Sequence, residues 1–399
     1  MPRKRILFIG EAVTLAHIAR PFVLANSLDQ NNYDVHFACD ERFNNLFDFE
    51  GLNIHPIYSI SSERFLRALS KGSPVYDFFS LKNYVEEDLK ILEEVNPDVV
   101  VGDFRLSLAI SAKLRQTAYV TITNAYWGPY TIQKYPVPEI PITSVFGPKI
   151  AQFLFNLARP VAFGLHTLPF NKACKHFGVP PLSNDLREIY TQADLTLYAD
   201  PLELFHTGTL PINHKFVGPI LWSPNTKLPA WWQDVPNDIP AVFLTLGSSG
   251  NRNVLPQILN TLGRLPVTVL LSTAGHDFET SLPENTFKAK FLPGQVVCNR
   301  ADLVICNGGS PSTYQSLAEG TPVIGIPSNL DQFLNMQALQ NYGVGTTIRS
   351  SELKGSNLSK AINQLLTSNR LNESGQNVAS MIAKYDSTAA FEEIIAHQT

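Results

Sequence analysis

Short apolar runs, each followed by a helix-like segment, recur along the chain and constrain its fold more than any other feature. In the first half they are RILFIG (5–10), VHFACD (35–40), VVVGD (99–103) and AYVTITNA (118–125). In the second half they are AVFLTLG (241–247), VTVLLSTAG (267–275), ADLVICNGG (301–309) and PVIGIPS (322–328). Continuous apolar strands are typical of parallel sheets whose two faces are covered by helices. The pattern predicts an α/β fold in which a doubly wound, Rossmann-like arrangement occurs twice.

The chain has 399 residues, enough for two domains that each bury a core. The segment 210–240 is rich in Pro and Asn and weakly periodic, so we interpret it as the linker and the opening of the second domain. We predict an N-terminal domain over 1–215 and a C-terminal domain over 216–380. A last helix within 381–399 would pack back on the first domain. The two sheets would face each other across a cleft, where ligands bind at the strand ends.

Charge and cysteine content exclude several classes of function. The net charge of −4 gives no reason to expect a nucleic-acid partner. The cysteines form no Cys-x-x-Cys pair, and His-Glu-x-x-His is absent, so we expect no zinc site and a reducing compartment. No apolar stretch reaches the ~18 residues of a membrane span, and the first run is too short for a signal peptide. We therefore expect a cytoplasmic protein.

The segment CNGGSPSTYQSLAEG (306–320) follows an apolar run and opens a helix-like pattern. Gly308 and Gly309 let the backbone approach a ligand closely, because no Cβ stands in the way. Ser312 and Thr313 occupy the positions expected for the N-cap and the first helical turn. Free N–H groups and the positive helix end suit an anion there. The segment predicts a phosphate site, although a Gly-Gly turn before a helix is often only a turn.

The next segment, GTPVIGIPSNLDQFLNMQALQNYGVG (320–345), adds a strand and a helix that opens with Asp331 and Gln332. These two side chains offer the several directional hydrogen bonds that sugar hydroxyls need. A phosphate turn followed one strand later by such a pair indicates a nucleotide-sugar site. The alternative for Asp331 is an ordinary helix cap.

These segments resemble the donor signature of a known family. NGGSPSTYQSLAEGTP followed by DQFLN is similar to His-Gly-Gly-x-x-(Ser/Thr)-Thr-x-Glu-(Ala/Ser)-x-x-x-Gly-x-Pro followed by Asp-Gln and Asn. That signature belongs to the inverting, nucleotide-sugar-dependent GT-B glycosyltransferases, which include the macrolide and plant-secondary-metabolite enzymes. The whole chain resembles this family. The resemblance implies two Rossmann-like domains, an acceptor-binding one over 1–215 and a nucleotide-sugar donor-binding one over 216–380. It also implies the transfer of a hexose to a hydroxyl group.

The resemblance also implies which residues hold the donor. They are Ser248, Ser249, Gly250, Phe291, Val296, Asn307, Gly308, Gly309, Ser312, Thr313, Gln315, Asp331 and Gln332. Asn307 stands where the family often has a His against the phosphate, and Gln315 stands where a Glu usually binds the ribose. Phe291, in place of a Trp, can still stack on a pyrimidine, and the backbone near Val296 would contact the base. Whether the nucleotide is UDP or dTDP stays open.

Inverting transfer needs a base for the acceptor hydroxyl. In RILFIGEAVTLAHIARPFVLANSL (5–28), His17 lies in the predicted loop after the first strand, before a helix that we expect to start around Pro21. The family has Gly-His-x-x-Pro, whereas AHIARP contains one more residue before the proline. The resemblance implies that His17 is the base and that Asp103 is its carboxylate partner. Glu11 is the reserve base, and the alternative for Asp103 is a helix N-cap.

The segment 126–170 breaks the strand–helix pattern and is rich in aromatic residues. In this family it shapes the acceptor pocket, so we predict an apolar or aromatic acceptor. The acceptor residues that we predict are Tyr126, Trp127, Tyr130 and Phe153. The alternative is that these side chains pack the domain. Lys149 and Arg159 among aromatic residues would also allow a weak contact with a membrane surface.

The donor loops contain no Asp-x-Asp pair, and a helix end with hydroxyl groups can neutralise a diphosphate, so we expect neither a metal nor another cofactor. Two other functions remain open at this point. One is a nucleotide-sugar 2-epimerase on the same fold, which needs no acceptor pocket. The other is a non-catalytic protein that binds nucleotide-sugars.

Overall fold

The structure is a computed structural model that describes residues 3–276, 281–353 and 356–397. The chain divides into two compact units. Unit 1 comprises Met1–Ile220 with Tyr385–Thr399, and unit 2 comprises Leu221–Lys384. Each unit contains one sheet whose paired strands run parallel.

The sheet of unit 1 is built from seven strands. They are β1 (Lys4–Gly10), β2 (Tyr33–Cys39), β3 (Asn53–Pro56), β4 (Val99–Asp103), β5 (Ala118–Thr123), β6 (Leu195–Tyr198) and β7 (His214–Phe216). The helices between them are α1 (Ala16–Ser27), α2 (Ser62–Lys71), α3 (Phe78–Val95), α4 (Leu108–Arg115), α5 (Pro141–His176) and α6 (Leu186–Tyr190). The spatial order is β3-β2-β1-β4-β5-β6-β7.

Strands β1 and β4 lie side by side in the middle of this sheet, where the chain order changes direction. Every residue of β4 is buried, as is most of β1, because their apolar side chains are covered on both faces. The register pairs Gly10 with Asp103 at the carboxyl ends. Such a switch point leaves a crevice beyond the strand ends, which is the usual ligand site of doubly wound sheets.

The sheet of unit 2 has six strands. They are β8 (Ala241–Thr245), β9 (Thr268–Ser272), β10 (Thr286–Ala289), β11 (Leu303–Cys306), β12 (Val323–Gly325) and β13 (Gly345–Thr347). The helices are α7 (Leu255–Leu262), α8 (Gly294–Arg300), α9 (Ser310–Ala318), α10 (Leu330–Tyr342), α11 (Asn357–Thr367) and α12 (Asn369–Ile382). The order β10-β9-β8-β11-β12-β13 puts the switch point between β8 and β11, with Thr245 opposite Cys306.

The last helix, α13 (Ser387–Ala396), belongs to unit 1 and packs on its first strand and first helix. The Phe391 ring is fully buried, with its centroid 5.7 Å from that of Phe8. Lys4 Nζ donates a hydrogen bond of 2.8 Å to the carbonyl oxygen of Ile395. An apolar contact and a polar contact thus hold the end of the chain to this unit.

The apolar runs of the sequence do form strands, but the sheets are wider than those runs indicate. Strands β3, β6, β7, β10 and β13 were not predicted, and β3, β7, β10 and β13 are the edges of the two sheets. These edge strands are short and partly exposed, and their sequences contain no continuous apolar run that would have predicted them. The linker interpretation of 210–240 is wrong in part, because β7 lies within it.

Most of the segment 126–170 that broke the pattern forms α5. This helix contains Pro148, Pro160 and Pro169, and it was not predicted because proline is unfavourable inside a helix. Gly147, with φ 74° and ψ 163°, interrupts its first turns and kinks it. None of the helices in the described parts of the chain combines the length and hydropathy of a membrane-spanning segment.

Candidate active site

His17 lies in the first turn of α1, because the helix begins at Ala16 rather than around Pro21. The expectation that His17 is in a loop is therefore wrong. Pro21 is inside the helix, where it lacks the N–H that would bond the carbonyl of His17. Gly10 makes room for this start of the helix, since a Cβ there would stand 2.9 Å from the His17 carbonyl oxygen.

Asp103 ends β4 and holds the His17 ring. Its Oδ1 lies 2.8 Å from His17 Nδ1, and the carboxylate is fully buried. The alternative that Asp103 caps a helix is wrong, because the N-cap of α4 is Ser107. The structure therefore brings together the two residues that sequence and resemblance assigned to catalysis.

Arg20 is a further member of this site that sequence analysis missed. Its guanidinium binds Asp103 in a bidentate manner, with Nε at 2.7 Å from Oδ2 and Nη2 at 2.8 Å from Oδ1. Nη1 donates to Asn124 Oδ1 at 2.7 Å, and Asn124 Nδ2 donates to Asp200 Oδ1 at 2.8 Å. Arg20 follows His17 by three residues, which places both side chains on one face of a helix. This spacing was the signal in the sequence that could have pointed to Arg20.

The charges around Asp103 determine its protonation state. Burial raises the pKa of the Asp103 carboxyl, but the charges and hydrogen bonds of Arg20 and His17 lower it more, so it lies below the ordinary value. Asp103 is thus ionised at neutral pH. An ionised carboxylate only accepts hydrogen bonds, so Nδ1 carries the proton of the His17–Asp103 pair and Nε2 is left as the basic nitrogen.

The residue after Asp103 also orients the histidine. The Phe104 ring stacks on the His17 ring, with centroids 4.7 Å apart and an interplanar angle of 14°. Phe104 has φ 59°, a left-handed backbone conformation that is unfavourable for a bulky residue. Arg105 is fully buried and pairs with Glu11 and Asp88 at 3.2 and 2.9 Å. These ion pairs stabilise the turn that presents both Asp103 and Phe104 to His17.

Glu11, the reserve base, is part of that buried cluster. Tyr84 donates to its Oε1 at 2.8 Å, and Arg105 Nη1 lies 3.2 Å from Oε2. Burial raises the pKa of Glu11 to about 7, against the opposing effect of Arg105. Both carboxylate oxygens are thus engaged with internal donors, and the side chain has no exposed surface.

In unit 2, the predicted phosphate turn lies at the start of α9. Gly309 is the N-cap and Ser310 the first helical residue, so the expectation that Ser312 caps the helix is wrong, while Ser312 does lie in its first turn. Pro311, which is favoured in a first helical turn, was the overlooked signal. Gly308 has φ 79°, and a Cβ there would meet Met336. Only glycine fits this position.

Neutral side chains surround the turn. Asn307 Nδ2 donates to Ser249 Oγ at 3.2 Å, and the same hydroxyl lies 3.4 Å from Gln332 Nε2. Asn335 is fully buried, and its Nδ2 donates to the Gly308 carbonyl at 2.8 Å and to Thr313 Oγ1 at 2.9 Å. The loops after β8 and β11 and the start of α10 are thereby joined. Thr313 is fully buried, whereas Ser312 is half-buried.

The remaining predicted donor residues lie around the same strand ends. Gln315 Nε2 donates to the Trp222 carbonyl. The Phe291 ring lies next to Gly275, where a Cβ would stand 2.9 Å from the ring. Asp331 is the second residue of α10, whose N-cap is Asn329, so the cap alternative for Asp331 is wrong.

Val296 is exposed on α8, and Ser248 and Gly250 lie partly buried in the loop after β8. Beyond β8 and β9 there is a cavity of about 420 Å³. It is lined by Leu246, Gly247, Gly250, Thr273 and His276, among others. One predicted donor residue, Gly250, thus borders an open space of ligand size.

The predicted acceptor residues lie in different environments. Tyr126 is fully buried, with its ring centroid 5.8 Å from that of Phe205. Trp127 meets Tyr190 edge-on at 4.9 Å, and Tyr130 meets a histidine ring at 5.1 Å. Phe153 is exposed on α5. Tyr126 contributes to the core here, and the acceptor role of all four stays a prediction.

Comparison with known proteins defines the class. Spinosyn rhamnosyltransferase SpnG has the same fold, with a TM-score of 0.72 at 17% identity over 98% of this chain and 100% of that chain. The family model described as erythromycin biosynthesis protein CIII-like, C-terminal domain, matches residues 256–396. The protein is a glycosyltransferase of the GT-B fold.

Curated relatives then give the family. A PGL/p-HBAD biosynthesis glycosyltransferase of Mycobacterium tuberculosis is 47% identical over 94% of this chain and 88% of the relative. A PGL/p-HBAD biosynthesis rhamnosyltransferase of Mycobacterium bovis is 44% identical over 96% of this chain and 85% of the relative. The chain belongs to the family of these glycosyltransferases.

Proposed function

We propose that this glycosyltransferase moves a hexose from a UDP- or dTDP-sugar to a hydroxyl group of an apolar or aromatic acceptor, with inversion at the anomeric carbon. The observation that carries the proposal is the 2.8 Å hydrogen bond between His17 Nδ1 and Asp103 Oδ1. An imidazole oriented by a carboxylate at a sheet's switch point has the features of a general base.

In the proposed reaction, Nε2 of His17 takes the proton of the acceptor hydroxyl while the oxygen forms a bond to the anomeric carbon. The bond from that carbon to the diphosphate oxygen breaks, and the nucleoside diphosphate leaves with the electron pair. A single displacement of this kind inverts the anomeric configuration. Asp103 stabilises the imidazolium that forms, and Phe104 keeps the ring in its plane.

The donor diphosphate would be held without a metal. The N-terminal N–H groups of α9, from Gly309 onwards, and the hydroxyl of Ser312 supply hydrogen bonds and the positive helix end. Asp331 and Gln332 at the start of α10 would bind the hexose, and Phe291 would stack on the pyrimidine. Among the described residues, no group of three or more His, Cys, Asp or Glu side chains could hold a metal ion.

The names of the relatives support the substrate classes that we propose. One relative is named a rhamnosyltransferase, so the donors to test include dTDP-rhamnose, whose sugar is a deoxyhexose. The acceptor would contact the region of Trp127 and Tyr130, with the apolar surface of α5 allowing weak contact with a membrane. All four cysteines are free and buried, which fits the reducing cytoplasm that we propose as the location.

A thermal-shift panel of UDP-, dTDP- and GDP-sugars tests the donor. A donor at 100 times its dissociation constant should stabilise the protein by about 2.7 kcal/mol. We expect the shift with UDP- or dTDP-sugars, and a shift with GDP-sugars alone contradicts the nucleotide assignment. The donor that binds is then incubated with an alkylated phenol, and the anomeric configuration of the product is read by NMR.

Product with the configuration opposite to that of the donor supports inversion, and retention contradicts it. Incubation without acceptor separates the other two functions. A 2-epimerase converts the donor into a new nucleotide-sugar, whereas the proposed enzyme gives only slow hydrolysis. A non-catalytic binding protein gives neither.

A further inference from the structure

Helix α5 carries an exposed apolar face, here called the α5 stripe. Its residues are Ile150, Phe153, Leu157, Val161, Leu165 and Leu168, each between 54% and 66% exposed. They recur every three or four residues, which places them on one side of a helix. At 1.5 Å per residue the stripe extends for about 27 Å.

The other side of α5 already packs in the core of unit 1. Phe170, Ala173 and Cys174 are buried there in a cluster with residues of α2, α3 and α4. An apolar stripe on a helix that already packs on its other side is normally covered by a further partner. The α5 stripe therefore lacks a covering partner in the described parts of the chain, and contiguous apolar patches of this kind mark interaction sites.

The length of the α5 stripe argues against a small acceptor as its main occupant. An aromatic acceptor of ordinary size spans only a fraction of about 27 Å, so most of the stripe would stay in water. An extended apolar surface, such as the edge of a bilayer's hydrocarbon region, matches its whole length. Amphipathic helices lie in such an interface with the apolar face inwards.

The charge of α5 indicates the kind of surface. Between Pro141 and His176 there is no Asp or Glu. Arg159 lies over the Tyr135 ring and Lys172 over the Phe78 ring, which leaves the exposed Lys149 and Lys175 as the cations that can meet headgroups. The whole chain, in contrast, has more acidic than basic residues, 35 against 31. In the same helix, His166 Nε2 lies 3.2 Å from the carbonyl oxygen of Gly72, which follows Lys71 at the C-terminal end of α2. Cations beside an apolar face complement anionic lipid headgroups.

A second copy of the chain fits this face less well. Homodimers are most often symmetric, so the α5 stripe of one copy would meet the same stripe of the other. Only residues near the two-fold axis would meet their own counterparts, but both copies would bring Lys149 and Lys175 to the contact and no acidic residue of α5 to pair them. Like charges at a contact oppose association.

We infer that the α5 stripe docks this glycosyltransferase on the surface of a bilayer that contains anionic lipid. The inference rests on the proposed function in one respect, since an acceptor with an apolar part would be met at such a surface. The helix lies along the interface with Leu157 and Leu165 towards the acyl chains. Lys149 and Lys175 lie at the level of the headgroups.

Vesicle flotation of the full chain tests this inference. One set of vesicles is phosphatidylcholine alone, and the other contains equal parts of phosphatidylcholine and phosphatidylglycerol. We expect at least tenfold tighter binding to the anionic set, and a large loss at about 1 M salt, where the Debye length is about 3 Å. No binding to either set, or equal binding to both, overturns the inference.

The variant Leu157→Asp with Leu165→Asp puts two charges on the α5 stripe, and it should weaken vesicle binding by tenfold or more. The matched control is Ile212→Asp, a change of an apolar residue that is 94% exposed in the loop before β7. This control should bind as the native chain does. If the double variant binds like the control, the face is not the docking surface.

Two further readouts separate the possible failures. Transfer to a short water-soluble phenol should be unchanged in the double variant, so loss of vesicle binding alone concerns docking and not the proposed reaction. A native chain that binds vesicles but transfers no sugar contradicts the proposed function and leaves docking intact. Light scattering that shows a dimer abolished by the double variant assigns the stripe to a second copy and overturns membrane docking.

Discussion

The predicted catalytic site of unit 1 and the predicted donor turn of unit 2 lie at the same place in two similar sheets, yet their chemistry differs. Beyond β1 and β4, the ionisable side chains of His17, Arg20 and Asp103 form a network in which Arg20 and Asp103 are buried and His17 is partly exposed. Beyond β8 and β11, the contacts are made by glycines, hydroxyls and amides such as Asn307 and Asn335.

This difference in chemistry indicates which step of the proposed reaction each region can perform. Moving a proton needs a group that changes charge. A fixed opposite charge such as Asp103 stabilises the charged form of that group. Holding a diphosphate needs donors whose charge does not change, which backbone N–H groups and hydroxyls provide. We therefore expect separate defects in the two regions: substitutions in unit 1 should lower the transfer rate, and substitutions in unit 2 should lower donor affinity.

His17→Ala should give the largest effect. Transfer should fall by about 10²–10⁴, the usual contribution of a positioned general base. The measurement is initial transfer rate at saturating donor and acceptor. His206→Ala, at an exposed histidine of unit 1, is the control and should keep the native rate. Native turnover of His17→Ala would mean that another group takes the proton.

Asp103→Asn should reduce stability as well as rate, because Arg20 would remain buried without its carboxylate. Breaking a buried ion pair in this way costs about 3–5 kcal/mol of the free energy of unfolding. Urea unfolding measures the loss. Asp34→Asn is the control, since the Asp34–Arg5 pair is more exposed and should contribute about 0–1 kcal/mol.

A double-mutant cycle sharpens that prediction. Arg20→Met combined with Asp103→Asn removes both charges, so the double variant should be more stable than Asp103→Asn alone. Additive losses from the two substitutions would show that the ion pair is not what stabilises this region. The activity of the double variant should stay low, because a neutral amide in place of the Asp103 carboxylate no longer stabilises the imidazolium.

Ser312→Asp should weaken donor binding by tenfold or more, at least ~1.4 kcal/mol, because its charge opposes the diphosphate at the start of α9. Calorimetric titration of the donor gives the affinity. Ser356→Asp is the matched control, since it adds the same charge at the N-cap of another helix of unit 2, α11. Unchanged affinity in Ser312→Asp would remove the segment 306–320 from the donor site.

Removal of metal ions should have the smallest effect. Because we propose that the end of α9 and hydroxyl groups neutralise the leaving diphosphate, EDTA should leave the transfer rate unchanged. The assay compares rates with and without chelator in metal-free buffer. A loss that Mg²⁺ or Mn²⁺ restores contradicts this part of the comparison.

The sequence predicted the central strands because they are continuous apolar runs, as in VVVGD of β4. It did not reveal edge strands such as NIHP of β3 or GTT of β13, whose residues are polar or partly exposed. Helix α5 was not predicted either, since its prolines argue against a helix while its tertiary packing maintains one.

From the sequence, we could propose only those site residues whose own chemistry suggests a role. His17 and Asp103 could be proposed from their residue types, strand-end positions and family resemblance. The spacing of Arg20 from His17 was a weak signal by itself, because the role of Arg20 also depends on its contact with Asp103, 83 positions further along the chain. Asn335 stands in the quoted DQFLN segment, but its hydrogen bond to the Gly308 carbonyl depends on how α10 packs.

The central claim, that His17 acts on the acceptor's proton and does not hold the donor, is tested most directly by titrating the donor into His17→Ala. We expect a dissociation constant within about twofold of the native value in a variant whose transfer rate has fallen by about 10² or more. Such a result means that the lost interaction is made in the transition state. A dissociation constant about tenfold weaker would contradict the claim and move His17 into the donor site.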